Sequence, residues 1–237
     1  IHSFCQSLLG RFPIEAAISP NFDLLDEITI NEHLRHSQDE MLLDIDGGKN
    51  LPLYEALNYL SGMLAEETFT ELMKKLSKER GGIEQLFKQN SSSFMVVSKN
   101  LKNLLGFTSD DCTKTILDAA VDENNFNSTS LKIASETLLK GTKTDIDRGK
   151  VILGWLKDVE KRLESFDSYI NVYLKKDREP RVLQMTKNLG LEYPDDYDVL
   201  SEEADRVKIV CDRLRAYALY ENTLAILRIG YELIKRY

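Results

Sequence analysis

The chain has 237 residues and a mass of 27.1 kDa, with 42% hydrophobic and 30% charged side chains, the balance of a soluble globular protein long enough to bury a core. No apolar run approaches the roughly 20 residues that cross a bilayer, and Cys5, Cys112 and Cys211 are too few and too scattered for a disulfide framework, which points to a reducing compartment. The formal net charge of −8 argues against an all-round nucleic-acid coat, yet ten acidic residues against three basic ones in positions 1–60 carry nearly all of it.

Apolar residues recur at three- and four-residue intervals along most of the chain, and sustained alternation is scarce, so the expected fold class is all-α: an irregular multi-helix arrangement with a long C-terminal helix. Phe4, Leu8, Leu9 and Phe12 mark a first short helix that Pro13 and the Ser19-Pro20-Asn21 turn bring to an end. Residues 28–45 form a second, polar helix, broken by Gly47-Gly48. Leu53, Leu57, Leu60 and Leu64 mark the next, with Pro52 acceptable in its first turn. Thr68 and Glu71 have the spacing of a capping box for a fourth helix. Gly81-Gly82, Gly106 and residues 122–127 punctuate three more. Thr144 to Asp147 offers a weaker cap for a helix running through Leu163, with Trp155 inside it.

The Asp177–Pro180 tract, Gly190 and Pro194-Asp195-Asp196 predict loops. From Ser201 to Tyr237 a stripe of Val207, Cys211, Leu214, Ala218, Ala225 and Ile229 predicts one helix of roughly 50 Å or more, suited to a strut between domains. Both ends read as cut points, since the first residue is Ile1 and the last helix runs into Tyr237 without a stop signal.

Several chemistries lack their residues. There is no phosphate-binding loop: Gly47-Gly48-Lys49 is followed by Asn50, and Lys140-Gly141-Thr142-Lys143-Thr144 has the wrong order. Leu24-Leu25-Asp26-Glu27 has the look of an acidic magnesium-binding strand end, but such a tetrapeptide is common by chance. His33 and His36, near Glu32, Asp39 and Glu40, lack a convincing third and fourth metal ligand and read as a solvated helix face. No Gly-x-Ser-x-Gly turn is present, and no Cys–His pairing can be argued. No catalytic residue and no metal site is therefore assigned. A local basic patch lies between Asn171 and Lys187, where Lys175, Lys176, Arg178, Arg181 and Lys187 outnumber Asp177 and Glu179.

The opening Ile1-His2-Ser3-Phe4-Cys5, continuing through Arg11-Phe12-Pro13-Ile14-Glu15-Ala16 and Leu25-Asp26-Glu27, resembles the AddA subunit of bacterial AddAB helicase–nucleases, a branch of the UvrD-like superfamily. The family's Thr-Ile-His-[Ser/Ala]-Phe-Cys motif lacks its first Thr here. A second patch, Gly141-Thr142-Lys143-Thr144-Asp145 with Leu174 to Arg181 and Thr186-Lys187, looks like the family's Gly-Lys-Thr-Asp and Leu-Thr-Lys-x-Gly-x-Pro-Arg patterns. The resemblance is diffuse between about residues 45 and 130.

This resemblance implies that residues 1–12 end a single-strand-contacting motif of the motor domain. Residues 13–200 would be a helical accessory subdomain of the 1B type, and 201–237 a long helix leading back to the motor. The implied parent is a cytoplasmic bacterial ATP-dependent DNA helicase in double-strand-break repair and recombination. Its ATP and magnesium sites lie outside this chain, which by itself has no cofactor and no ATPase activity. The implied partners are DNA, the rest of the motor and a nuclease subunit of the AddB type, with no membrane. His2, Ser3 and Phe4 would contact single-stranded DNA, although Phe4 also fits an apolar core stripe. Lys143, Lys175, Lys176, Arg178, Arg181 and Lys187 would contact duplex phosphates. The rival expectation is an all-α structural or protein-interaction module without a direct DNA role.

Overall fold

A computed structural model describes residues 2–16, 18–19, 22, 27–46 and 50–236. Among them the architecture is all-α: twelve α-helices, no strand, and one isolated antiparallel bridge between Leu174 and Pro180. The Pro20-Asn21 turn, the Leu24-Leu25-Asp26 stretch, the Gly47-Gly48 break and Tyr237 lie outside the described residues, as does the side chain of His2. None of the helices is long and apolar enough to cross a membrane.

The chain divides into two compact units, one of residues 1–92 with 225–237, the other of residues 93–224. The first holds α1 (His2–Arg11), α2 (Glu27–Asp46), α3 (Leu51–Ser61), α4 (Glu66–Lys78), α5 (Arg80–Gln89) and the end of α12 (Pro194–Arg236). Pro52 sits in the opening turn of α3, where a missing N–H costs nothing, and Asn50 caps it from the side chain. Leu53, Leu60, Met73, Leu76, Ile83 and Phe87 supply the buried stripes of α3 to α5, and Ile229 and Leu233 those of α12. Phe87 stacks on Tyr231 with ring centroids 3.9 Å apart. Arg236 pairs with Asp44 at 2.6 Å.

Two boundaries here differ from expectation. Thr68 does not cap α4. The helix opens at Glu66 after Ala65, which offers no side-chain cap, and Glu66 and Glu67 place negative charge where the helix dipole favours it. Gly81 and Gly82 do not separate two helices either. The break falls at Glu79, and both glycines lie in the first turn of α5.

The second unit holds α6 (Phe94–Leu104), α7 (Thr113–Val121), α8 (Ser128–Leu138), α9 (Lys143–Lys157), α10 (Phe166–Tyr173), α11 (Lys187–Glu192) and most of α12. Gly106, at φ +76°, ends α6 through paired bonds from Gly106 N to the Asn103 carbonyl and from Phe107 N to the Lys102 carbonyl. The core joins Leu131, Ala134 and Leu138 of α8 to Ile152 and Trp155 of α9, and both to Phe166, Tyr169 and Tyr173 of α10. Met185, Leu189, Leu200, Ala204 and Val207 close it. Trp155 stacks on Tyr169 at 3.8 Å.

The helix expected from Thr144 through Leu163 is shorter and better capped. Its cap is Thr142, in a capping box with Asp145, and it stops at Lys157, where Asp158 caps a tight turn over Val159–Lys161. Arg162 is almost wholly buried. It donates to the carbonyl oxygens of Trp155, Leu156 and Val121 and to Glu123, so its charge is absorbed internally.

The long C-terminal helix is 43 residues, opening at Pro194 rather than Ser201. The sequence predicts a loop at Pro194-Asp195-Asp196. Instead Pro194 takes the first helical position, Tyr197 N bonds to the Tyr193 carbonyl, and the two aspartates sit in the first turn. Gly190 likewise lies within α11 rather than in a loop.

Candidate nucleic-acid interface

Between α10 and α11 the chain makes a tight hairpin. Leu174 pairs with Pro180, Lys175 N donates to the Glu179 carbonyl at 2.8 Å, and Arg181 N donates to the Tyr173 carbonyl at 2.9 Å. Arg178 N closes the turn onto the Lys175 carbonyl at 2.9 Å, which leaves Lys176 and Asp177 at the tip. Asp177 Oδ1 accepts from Glu179 N, the local bond that makes aspartate a turn residue. The segment is non-helical, as Pro180 requires.

Arg178 adopts φ +66°, the left-handed region that glycine occupies without strain. In the pattern quoted above, this position belongs to glycine. Here an arginine takes it.

The four basic side chains of the hairpin differ in setting. Lys175 and Lys176 are exposed, and among the described residues neither forms an ion pair. Arg178 and Arg181 are half-buried. Arg178 lies 3.6 Å from Asp167, and Arg181 Nη2 donates to the Asn171 carbonyl at 2.9 Å. Glu179 does not pair with its own hairpin's bases but with Lys208 of α12 at 3.3 Å. Arg215 donates to the Asp177 carbonyl at 2.9 Å. Lys208 is held more firmly protonated than usual by Asp212 and Glu179.

Lys143 and Lys187 are exposed at the first positions of α9 and α11, and a single carboxylate brings these two helix starts together. Buried Asp145 accepts from Thr142 N at 2.9 Å and Thr142 Oγ1 at 2.7 Å, and also from Thr186 N at 3.0 Å and Thr186 Oγ1 at 2.9 Å. Burial pushes the Asp145 carboxyl up, but these bonds outweigh it and hold it below the usual carboxylate range. The approach is tight at Gly141, where a Cβ would lie 2.6 Å from Asp145 Oδ2 and 2.8 Å from a Leu189 methyl. The two sequence patches that carry the second part of the resemblance thus meet at Asp145.

Three basic residues of this region were missed from sequence. Arg148 of α9 donates to the Leu183 and Gln184 carbonyls at 3.2 and 3.1 Å. Lys208 and Arg215 bracket the hairpin from α12, and their spacing with Asp212, four and then three residues on, is a helical-face signal that could have found them. No linear signal points to Arg148, which is separated from the 183–184 backbone by 35 and 36 residues.

His2, Ser3 and Phe4 fall in the other unit, on α1. Ser3 is exposed and Phe4 is 69% exposed, so Phe4 is not a core residue here. Leu8 and Phe12 on the same helix are exposed as well. His33 and His36 are exposed, with His36 Nε2 3.4 Å from Glu40, and among the described residues no group of three or more His, Cys, Asp and Glu is placed to hold a metal. No protein-family model, curated protein or solved structure matches the chain.

Proposed function

We propose that this chain is a DNA-contacting accessory segment of an ATP-dependent helicase of the AddA type, and that the hairpin from Leu174 to Arg181 is its duplex contact. The observation that carries the reading is the pair Lys175 and Lys176, exposed at a hairpin and free of ion pairs among the described residues. A turn that presents two lysines can follow backbone phosphates without reading base edges. The helicase part of the proposal rests on the AddA-like motifs alone. ATP and magnesium would be bound by the parent outside this chain, and the remainder of the motor and an AddB-type nuclease subunit would be its protein partners. His2, Ser3 and Phe4 would lie along the single strand, with the exposed Phe4 ring available for base stacking.

Asp167, Asp177, Glu179 and Asp212 lie among the same bases, so the field available to DNA is modest and binding should be weak and salt-sensitive. The test is a salt titration on two unrelated duplexes, comparing wild type with a variant carrying Lys175→Ala and Lys176→Ala. Loss of two phosphate contacts should flatten the slope of log affinity against log salt by roughly 1.8, equally on both sequences. Unchanged slopes with an intact fold would reject the hairpin as a duplex contact.

A second reading, an all-α module for protein contact only, is favoured by the exposed Phe4, Leu8 and Phe12 of α1 and by the acidic first 60 residues. It gives no salt-dependent DNA binding at all in the same titration.

A further inference from the structure

The second unit holds a cavity of about 210 Å³ to which no residue of the hairpin contributes. At about 30 Å³ each it has room for roughly seven waters, or for a small molecule of similar size. Phe126, Leu131 and Val199 give it apolar walls, while Glu202, Glu203 and Arg206 bring charge to it. Phe126 is held from several sides. The guanidinium groups of Arg206 and Arg162 lie over its ring at 5.0 and 5.5 Å, and the Trp155 ring centroid is 5.1 Å away. This wall is therefore set before anything enters, as in most small-molecule sites.

The charged side chains are unequally satisfied. Glu203 is only 5% exposed, and it accepts one hydrogen bond from Tyr169 and two from Arg206. A carboxylate accepts about four, so it has capacity left. Glu202 is exposed, and among the described residues it has neither a hydrogen bond nor an ion pair. Two carboxylates against one guanidinium leave the cavity with an excess of negative charge. The first turn of α8 opposes this, since Asn127 and Ser130 also line the cavity, but a helix start carries only about half a positive charge. Asn127 Oδ1 already takes the Ser130 amide at 3.0 Å. The sign of the site stays negative.

We propose that this cavity binds a small organic ammonium ion, an amine on a compact carbon body. The ammonium group bonds to Glu202 and to the spare acceptor capacity of Glu203, and the carbon body lies against Phe126, Leu131 and Val199. A bare metal ion would leave the apolar walls unused, and among the described residues no group of three or more His, Cys, Asp and Glu is placed to hold one. An anion would meet the excess carboxylate. The competing occupant is water, with Glu203 and Arg206 serving the fold alone. The site is independent of the hairpin and of its reading as a duplex contact.

The experiment titrates cyclohexylammonium into the full chain, followed by calorimetry and by the emission of Trp155, which packs on the Phe126 wall. Cyclohexanol and cyclohexanecarboxylate keep the ring and change the charge. A ligand of this size supports a Kd of about 1 mM for the ammonium, with both analogues about tenfold weaker or worse. Three variants are compared with wild type, each checked for helical content by circular dichroism. Glu202→Gln should weaken binding about fivefold, the modest loss expected at an exposed carboxylate. Val199→Phe fills the cavity and should abolish binding. The surface control Glu192→Gln should leave it unchanged. Because Glu202 is exposed, Glu202→Gln stays informative if Val199→Phe fails to fold. The proposal is overturned by wild type that gives no saturable signal, or by cyclohexanol or cyclohexanecarboxylate binding as tightly as the ammonium. Unchanged affinity in Glu202→Gln, or in a folded Val199→Phe, overturns it as well. None of these outcomes bears on the Lys175 and Lys176 titration, which judges the hairpin by itself.

Discussion

Asp145 Oδ2 lies 2.9 Å from the hydroxyl of Thr186, across 41 residues of chain, and its Oδ1 lies 3.0 Å from the Thr186 amide. The same carboxylate closes the capping box of α9 through Thr142. One buried side chain therefore caps one helix and fixes the residue before another. Replacing Asp145 with alanine removes charge-assisted bonds and a cap together, and should cost the second unit about 3 kcal/mol. Urea denaturation followed by the fluorescence of Trp155, the chain's one tryptophan and a core residue of that unit, measures this directly. A midpoint equal to wild type would show that the node carries little stability.

The pH dependence of the same site has a definite sign. Burial raises the Asp145 carboxyl, but the bonds from Thr142 and Thr186 prevail and its folded value is depressed. A depressed carboxylate contributes stability that is present above its unfolded value, about 4, and is lost as pH falls through the folded value. Asparagine at position 145 has no proton to take up. The stability difference between wild type and Asp145→Asn should therefore be largest near neutral pH and shrink below about pH 4. Urea midpoints of both proteins at pH 7 and at pH 3 check it, and a gap that widens on acidification would contradict the argument.

Helical periodicity alone located most elements, because Leu53, Leu60, Ile152 and Val207 repeat on faces that the fold buries. Starts were harder to read, because a cap is a local hydrogen bond that several neighbouring hydroxyls or carboxylates could make. Thr142 and Thr144 both precede plausible partners, and only the docking of Asp145 on Thr186 selects the first. At Pro194 the sequence is equally suited to a turn and to a first helical position, and the choice follows from packing downstream, where Leu200, Ala204 and Val207 join the core. Within the candidate interface a non-helical basic tract is legible from the bases and from Pro180, but its closure into a hairpin through Leu174 and Pro180 is not. Arg148 is not legible either, since its relation to residues 183 and 184 exists only after α9 folds against them.

A buried polar cluster in the second unit gives a ranked prediction. Tyr169 Oη donates to Glu203 at 2.5 Å, and Arg206 forks onto the same carboxylate at 2.6 and 2.7 Å while reaching the Ala120 carbonyl. Tyr169→Phe removes one donor and leaves Glu203 paired with Arg206, so its cost should be about 1–2 kcal/mol. Glu203→Ala leaves a largely buried guanidinium without its counter-charge, so its cost should reach about 3–5 kcal/mol. Denaturation of the two variants tests the order, and a Tyr169→Phe loss exceeding that of Glu203→Ala would refute this account of the cluster.

Arg178 gives the sharpest conformational prediction. At φ +66° a side chain with a Cβ is strained by roughly 1 kcal/mol, whereas glycine is not. The contacts that offset this strain are thin. The partner carboxylate, Asp167, is 3.6 Å away and mostly exposed, a pair worth at most about 1 kcal/mol. Arg178 Nη1 is itself buried without an acceptor. Arg178→Ala loses the ion pair and keeps the strain, while Arg178→Gly loses the pair and the strain together, against a modest gain in unfolded-chain freedom. The glycine variant should therefore be more stable than the alanine variant by about 1 kcal/mol, and close to wild type. Comparing both with wild type by urea denaturation separates backbone strain from side-chain contact. If alanine equals glycine, the left-handed turn at Arg178 is not what the chain adopts in solution.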